Sequence, residues 1–118
     1  MNGLIEFAQN LESKKCKPHK EGDKPLGLNF IKGFLLQLPH WKHAGKEIVR
    51  VFPFKNFYET IGFVNAVAYI ANREDHHPDL EVGYKTCKVR YSSHELGGLS
   101  ENDFICATII DGLLKEVS

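Results

Sequence analysis

Neither sign of charge dominates this chain of 118 residues: 15 Lys and Arg stand against 15 Asp and Glu, a formal net charge of zero with neutral histidines. Without a basic surplus there is no field to hold a phosphate backbone, so nucleic acid is not expected as the main ligand. No apolar run approaches the length of a membrane span. The opening MNGLIEFAQNLESKKC lacks the basic-then-apolar order of a secretory signal, and Asn2 stands where myristoylation would need glycine. Cysteine is scarce. Cys16, Cys87 and Cys106 form an odd, scattered set, a poor disulfide framework that fits a reducing compartment. The expected location is cytoplasmic. Internal repeats, a P-loop, a dinucleotide fingerprint and a nucleophile elbow are all missing, which removes the commonest nucleotide and serine-hydrolase chemistries.

What is present is ordinary globular material, 42% apolar and 25% charged, at a length suited to one domain. Residues 1–24 read as a lead-in segment, in which LIEFAQNL has the pattern of a helical turn or two and KKCKPHKEGDKP has loop chemistry. Residues 25–118 read as the folded domain. Asn29–Leu38 is apolar at helical spacing through Ile31, Phe34, Leu35 and Leu38, and Pro39 closes it. WKHAGKEIVRVFPF reads as a hairpin turning at Ala44-Gly45-Lys46.

Asn56–Asn72 carries the clearest helical stripe, Phe57, Ile61, Val64, Ala68 and Ala71, widened by Val67 and Ile70, with Asn56 as N-cap. Leu80–Tyr84 and Thr86–Ser92 are strand candidates, the second alternating buried Cys87, Val89 and Tyr91 with wet Lys88, Arg90 and Ser92. Ser100 caps a last helix with Phe104, Ala107, Ile110 and Leu114 on its core face. The order α-β-β-α-β-β-α with hairpin connections predicts an α+β fold: a four-stranded antiparallel sheet with helices packed on one face.

The chemistry concentrates in EDHHPDLEVGYKTCKVRYSSHELGGLSENDF, residues 74–104. His76 and His77 follow a helix end, and His94 follows a strand end, places where rigid elements hand side chains to loops. Histidine moves protons near neutral pH, so three of them in one segment point to acid–base work. A metal site is the weaker reading. The segment lacks the i, i+4 histidine pair of a helical zinc motif, and Asp75, Asp79 and Glu95 are too common a residue type to complete the case. The plainest reading makes these surface histidines favoured by a helix C-terminus. Asp103 has its own plain reading as the acidic member of a Ser100-x-x-Asp103 capping box, though a carboxylate fixed there could also reach a histidine. Cys16-Lys17-Pro18-His19 offers too few ligands for zinc, and Cys87 and Cys106 lie on apolar faces as core residues.

The stretch resembles the signature of the pterin-4a-carbinolamine dehydratases: His76-His77-Pro78, an aromatic at Tyr84, His94 ten residues beyond it and Asp103 nine beyond that. LPHW, VFPFKNF and FVNAVAYIA resemble the family too, and CKPHKEGDKPL is similar to the lead-in of bacterial members, which often have a second cysteine where this chain has His19. The resemblance implies loss of water from 4a-hydroxytetrahydropterin to give quinonoid dihydropterin, which recycles the pterin used by aromatic amino acid hydroxylases such as phenylalanine hydroxylase. It implies that His76, His77 and His94 line the pterin site. His76 and His94 would be the acid–base pair, His77 the group that orients the pterin, and Asp103 the partner that polarises a histidine. It further implies no metal and no separate cofactor, since pterin is the substrate, and a homodimer or homotetramer. Some animal members bind a homeodomain transcription factor, so the reading from another class is a non-enzymatic protein-binding module.

Overall fold

A computed structural model of the chain describes residue 11 and residues 13–115. The expected helical turn in LIEFAQNL falls outside them apart from Leu11, which is buried in the core. The elements in order are α1 (Leu28–Leu35), β1 (Lys42–Ala44), β2 (Glu47–Pro53), α2 (Phe57–Glu74), β3 (Asp79–Val82), β4 (Thr86–Tyr91), a 3-10 turn (His94–Leu96) and α3 (Glu101–Lys115). The four strands form one antiparallel sheet in the order β1-β2-β4-β3. No helix among the described residues is long and apolar enough to cross a membrane.

The strand alternation sorts the sheet into two faces. Registers pair Ile48 with Tyr91, Arg50 with Val89 and Phe52 with Cys87. This aligns Ile48, Phe52, Cys87, Val89 and Tyr91 on the helix side, where all five are fully buried. The other face carries a charge ladder in which Arg90 bonds Glu47 at 3.0 Å and Glu81 at 2.9 Å. Arg50 falls on the apolar face. It is tolerated there because its guanidinium meets Asp111 of α3 at 2.8 Å and lies over the Phe52 ring at 4.3 Å. The Trp41 indole N–H donates to the same carboxylate at 2.9 Å, so one acid ties the β1 entry, β2 and α3 together.

The end of α1 and the buried face of α2 differ from the sequence reading, and β3 runs Asp79–Val82 where Leu80–Tyr84 was expected. Helix α1 ends three residues early, because successive turn bonds from Gln37 to Phe34, Leu38 to Leu35 and Trp41 to Leu38 tighten the chain and bring Leu38 and Trp41 into the core. The buried stripe of α2 is Thr60, Phe63, Val67, Ile70 and Ala71. Phe57 and Ala68, expected on the core face, are exposed. The apolar arc of this helix is wide, and periodicity cannot choose which edge meets the sheet. Phe57 instead stacks on Tyr84 with ring centroids 6.3 Å apart. Thr60 can be buried because its hydroxyl donates to the carbonyls of Asn56 and Tyr84.

Candidate functional site

Helix α2 stops where Asp75 adopts a left-handed backbone (φ 53°, ψ 42°), a conformation that Asp tolerates better than most residues. The backbone N–H of His76 then turns back to the Ala71 carbonyl at 3.1 Å. That reversal is why two adjacent histidines have opposite fates. His76 is buried and His77 is exposed, and Pro78 leads into β3.

The His76 ring lies nearly parallel to the Tyr91 ring, 5.4 Å between centroids, at the end of β4. Its Nε2 is 2.6 Å from Asp103 Oδ1. The other carboxylate oxygen accepts from the Ser93 hydroxyl and from the Ser100 backbone N–H, each at 2.9 Å. Ser93 in turn meets the Ser100 hydroxyl at 2.6 Å, and since Ser93 donates to Asp103, Ser100 donates to Ser93. An ionised carboxylate only accepts, so Nε2 of His76 carries a proton, and its tautomer is set from behind. Asp103 is therefore a helix cap and a histidine partner at once. Burial is the largest single influence on the His76 pKa and pushes it down. The hydrogen bond and charge of Asp103, joined by the Cys106 and Glu95 charges, outweigh it and hold His76 above its ordinary value.

His76 lines a cleft of about 460 Å³ with Cys16, Lys17, Pro18, His19, Glu74, Glu95 and Asn102 among its other walls. That volume suits a small-molecule site, typically about 300–1,000 Å³. One wall is an irregular strap from the lead-in. Cys16 N–H donates to Glu74 at 2.9 Å, and Lys17 and Asn102 exchange two bonds at 3.0 and 2.8 Å. Leu26 N–H reaches the Leu99 carbonyl at 2.8 Å. There Pro25 crosses Gly98 so closely that a Cβ on Gly98 would come within 2.8 Å of the proline ring. The strap sets His19 edge-on to His76, centroids 6.5 Å apart, with its Nε2 2.9 Å from Glu95 Oε1 but off the line of a hydrogen bond. Burial pushes the Glu74 carboxyl up, and the bonds from Cys16 and Arg73 more than reverse it, leaving its pKa below the ordinary value.

Of the sequence candidates, His76 and Asp103 are brought together. His94 is not joined to them: its side chain is 79% exposed, 3.8 Å from Asp79 Oδ2 and near the Ser92 hydroxyl. Tyr84 is exposed and stacked on Phe57. Among the described residues no cluster of three or more His, Cys, Asp or Glu is arranged to hold a metal ion. Sequence reasoning missed Ser93, Tyr91 and the strap. A Ser-Ser pair before His94 was the available sign for Ser93. For the strap the sign was the family-like lead-in CKPHKEGDKPL, which does not show that its partners lie far along the chain.

A family model described as pterin 4 alpha carbinolamine dehydratase matches residues 24–113. A protein of Nitrosospira multiformis, bearing the provisional name pterin-4-alpha-carbinolamine dehydratase, is 52% identical over 106 residues, covering 90% of this chain and 94% of its own. One from Stenotrophomonas maltophilia with the same provisional name is 46% identical over 119 positions, covering 99% of each. The crystal structure of a transcriptional coactivator/pterin dehydratase from Brucella melitensis superposes with a TM-score of 0.73 at 27% identity, covering 76% of this chain and 98% of that one.

Proposed function

The chain belongs to the pterin 4 alpha carbinolamine dehydratase family, and from that premise we propose that it eliminates water from 4a-hydroxytetrahydropterin to give quinonoid dihydropterin. The elimination delivers one proton to the departing 4a-hydroxyl, removes one from N5 and leaves a C4a–N5 double bond. No electrons leave the substrate. The observation that carries the proposal is the buried His76–Asp103 pair at 2.6 Å, at the wall of a cleft of small-molecule size. With Nε2 committed to Asp103, Nδ1 is the nitrogen of His76 free to exchange a proton.

His94 is the second member of the acid–base pair, kept accessible to the substrate. The exposed His77 orients the ring. Such positioned acid–base groups are worth roughly 10²–10⁴ in rate. Pterin recycling for a hydroxylase such as phenylalanine hydroxylase, a cytoplasmic location and a homo-oligomeric state belong to the same proposal.

The test is absorbance-monitored dehydration of freshly generated 4a-hydroxytetrahydropterin with the intact chain, before and after EDTA. Acceleration that survives EDTA is expected. No acceleration over the spontaneous rate overturns the enzymatic reading and favours a protein-binding module. Loss to EDTA with recovery on adding zinc overturns the metal-free mechanism.

A further inference from the structure

We propose that Cys16 and Cys106 form a reversible disulfide site, one that fastens the lead-in strap to α3 beside the His76 cleft. The two sulfurs stand 3.4 Å apart although 90 residues separate them in sequence. A disulfide needs about 2.0 Å, so the sulfurs must close by roughly 1.4 Å. One of them sits on irregular chain that can move to make up the gap. Cys106 is held in α3 and fully buried, while Cys16 is half-buried and lines the cleft, so a small oxidant comes from the cleft past Cys16 to reach the Cys106 sulfur. Cys87, the third thiol, is buried on the sheet.

The surroundings prepare the pair for oxidation. The Cys16 thiol donates to the Asn102 carbonyl at 3.6 Å and stands 3.4 Å from Cys106 Sγ, a contact in which either sulfur can donate. That bond to Cys106 is the main reason Cys16 is held far above the ordinary thiol range, with burial next. The same bond is the main reason Cys106 is lowered, against its burial and with help from the Tyr91 hydroxyl and His76. Of the two thiols, Cys106 is therefore the one that gives up its proton more readily.

The oxidant is a small hydroperoxide such as hydrogen peroxide. The thiolate attacks one peroxide oxygen, the O–O bond breaks, and the sulfur becomes a sulfenic acid as hydroxide departs and takes a proton. The second sulfur then attacks the first, the S–O bond breaks, and the hydroxyl leaves as water with the second thiol proton. Two thiols are oxidised, one peroxide is reduced, and two waters form. The strap carries Lys17, Pro18 and His19, which wall the cleft with His76. A covalent bond at Cys16 would hold that wall in place of hydrogen bonds alone.

The experiment treats the full reduced chain with graded hydrogen peroxide under native conditions, then denatures, alkylates and maps the peptides by mass. Free thiols are expected to fall from the three of the reduced chain to one, Cys87. The Cys16 and Cys106 peptides should appear linked with two hydrogens lost, and dithiothreitol should reverse the link. Tryptic cleavage after Lys20, in the strap just past Pro18, should slow in the oxidised chain. Cys16→Ser, which leaves the buried Cys106 in place, should keep both remaining thiols at the same dose. Retention of all three thiols, sulfinic acid or intermolecular links in place of the pair, or equal thiol loss in Cys16→Ser each overturn the proposal. An unchanged cleavage rate overturns the fastening. None of these readouts uses the dehydratase reaction, so they stand apart from the functional assignment.

Discussion

At the end of α2, His76 is only 8% exposed and is bound through Asp103 to two serines. At the end of β4, His94 stands 79% in solvent with its nearest carboxylate, Asp79, at 3.8 Å. The two share a residue type and a motif and little else. Burial plus a satisfied hydrogen-bond network fixes one imidazole in place and tautomer. Exposure leaves the other free to take whatever position a bound substrate dictates. If both serve one elimination, the buried histidine supplies preorganisation and the exposed one supplies access, and stability and turnover should respond differently at the two positions.

The largest contrast is expected in folding stability. Replacing His76 by Ala leaves the Asp103 carboxylate buried without the imidazole N–H that donates to it, at a cost of roughly 3 kcal/mol. His94→Ala should stay within about 0.5 kcal/mol of the parent, as exposed sites do. Urea unfolding of the two variants decides this, and similar losses would erase the contrast. A smaller effect belongs to the network behind Asp103. Ser93→Ala removes a donor from Oδ2 and leaves the Ser100 hydroxyl without its acceptor, for about 1–2 kcal/mol. The same measurement on Ser92→Ala, whose hydroxyl lies 3.3 Å from the exposed His94 ring, should show little.

The pH dependence sharpens the comparison further. His76 is held above its ordinary 6.5 in the folded chain, burial pulling it down and Asp103 outweighing that. Folding therefore strengthens proton binding at His76. Its contribution is complete below about pH 6.5 and is lost as pH rises through the folded value. Melting temperatures of the parent and His76→Gln, taken from about pH 5 to 9, should converge toward the alkaline end. A gap that widens there would contradict the ion pair. A small effect is expected at Tyr84: Tyr84→Ala removes an exposed stack on Phe57 and a contact with the Lys85 ammonium, and should cost under about 1 kcal/mol.

Much of the fold could be read in advance where one residue decides one contact. The alternation of Cys87, Val89 and Tyr91 announced a half-buried strand, Asn56 announced a helix start and its side chain does accept from Glu59 N–H at 2.9 Å, and Ser100-x-x-Asp103 announced a cap. The stripe of α2 was harder, because an arc running from Phe57 to Ala71 offers two adjacent faces and only tertiary contact chooses between them. The site was legible in its residue types and illegible in its partition. Nothing in His76-His77 says which ring turns inward, because the left-handed turn at Asp75 decides it. The strap was least legible of all. Cys16 meets Cys106 and Lys17 meets Asn102 across 90 and 85 residues, and no local pattern encodes a pairing at that distance.

The central claim is that His94 serves the reaction and His76 serves both the reaction and the fold. The most direct test measures the 4a-hydroxytetrahydropterin dehydration rate and the unfolding free energy on the same preparations of the parent, His94→Gln and His76→Gln. The account predicts that His94→Gln loses roughly 10²-fold or more in rate at unchanged stability, while His76→Gln loses both. A His94→Gln protein that turns over at the parental rate would contradict it.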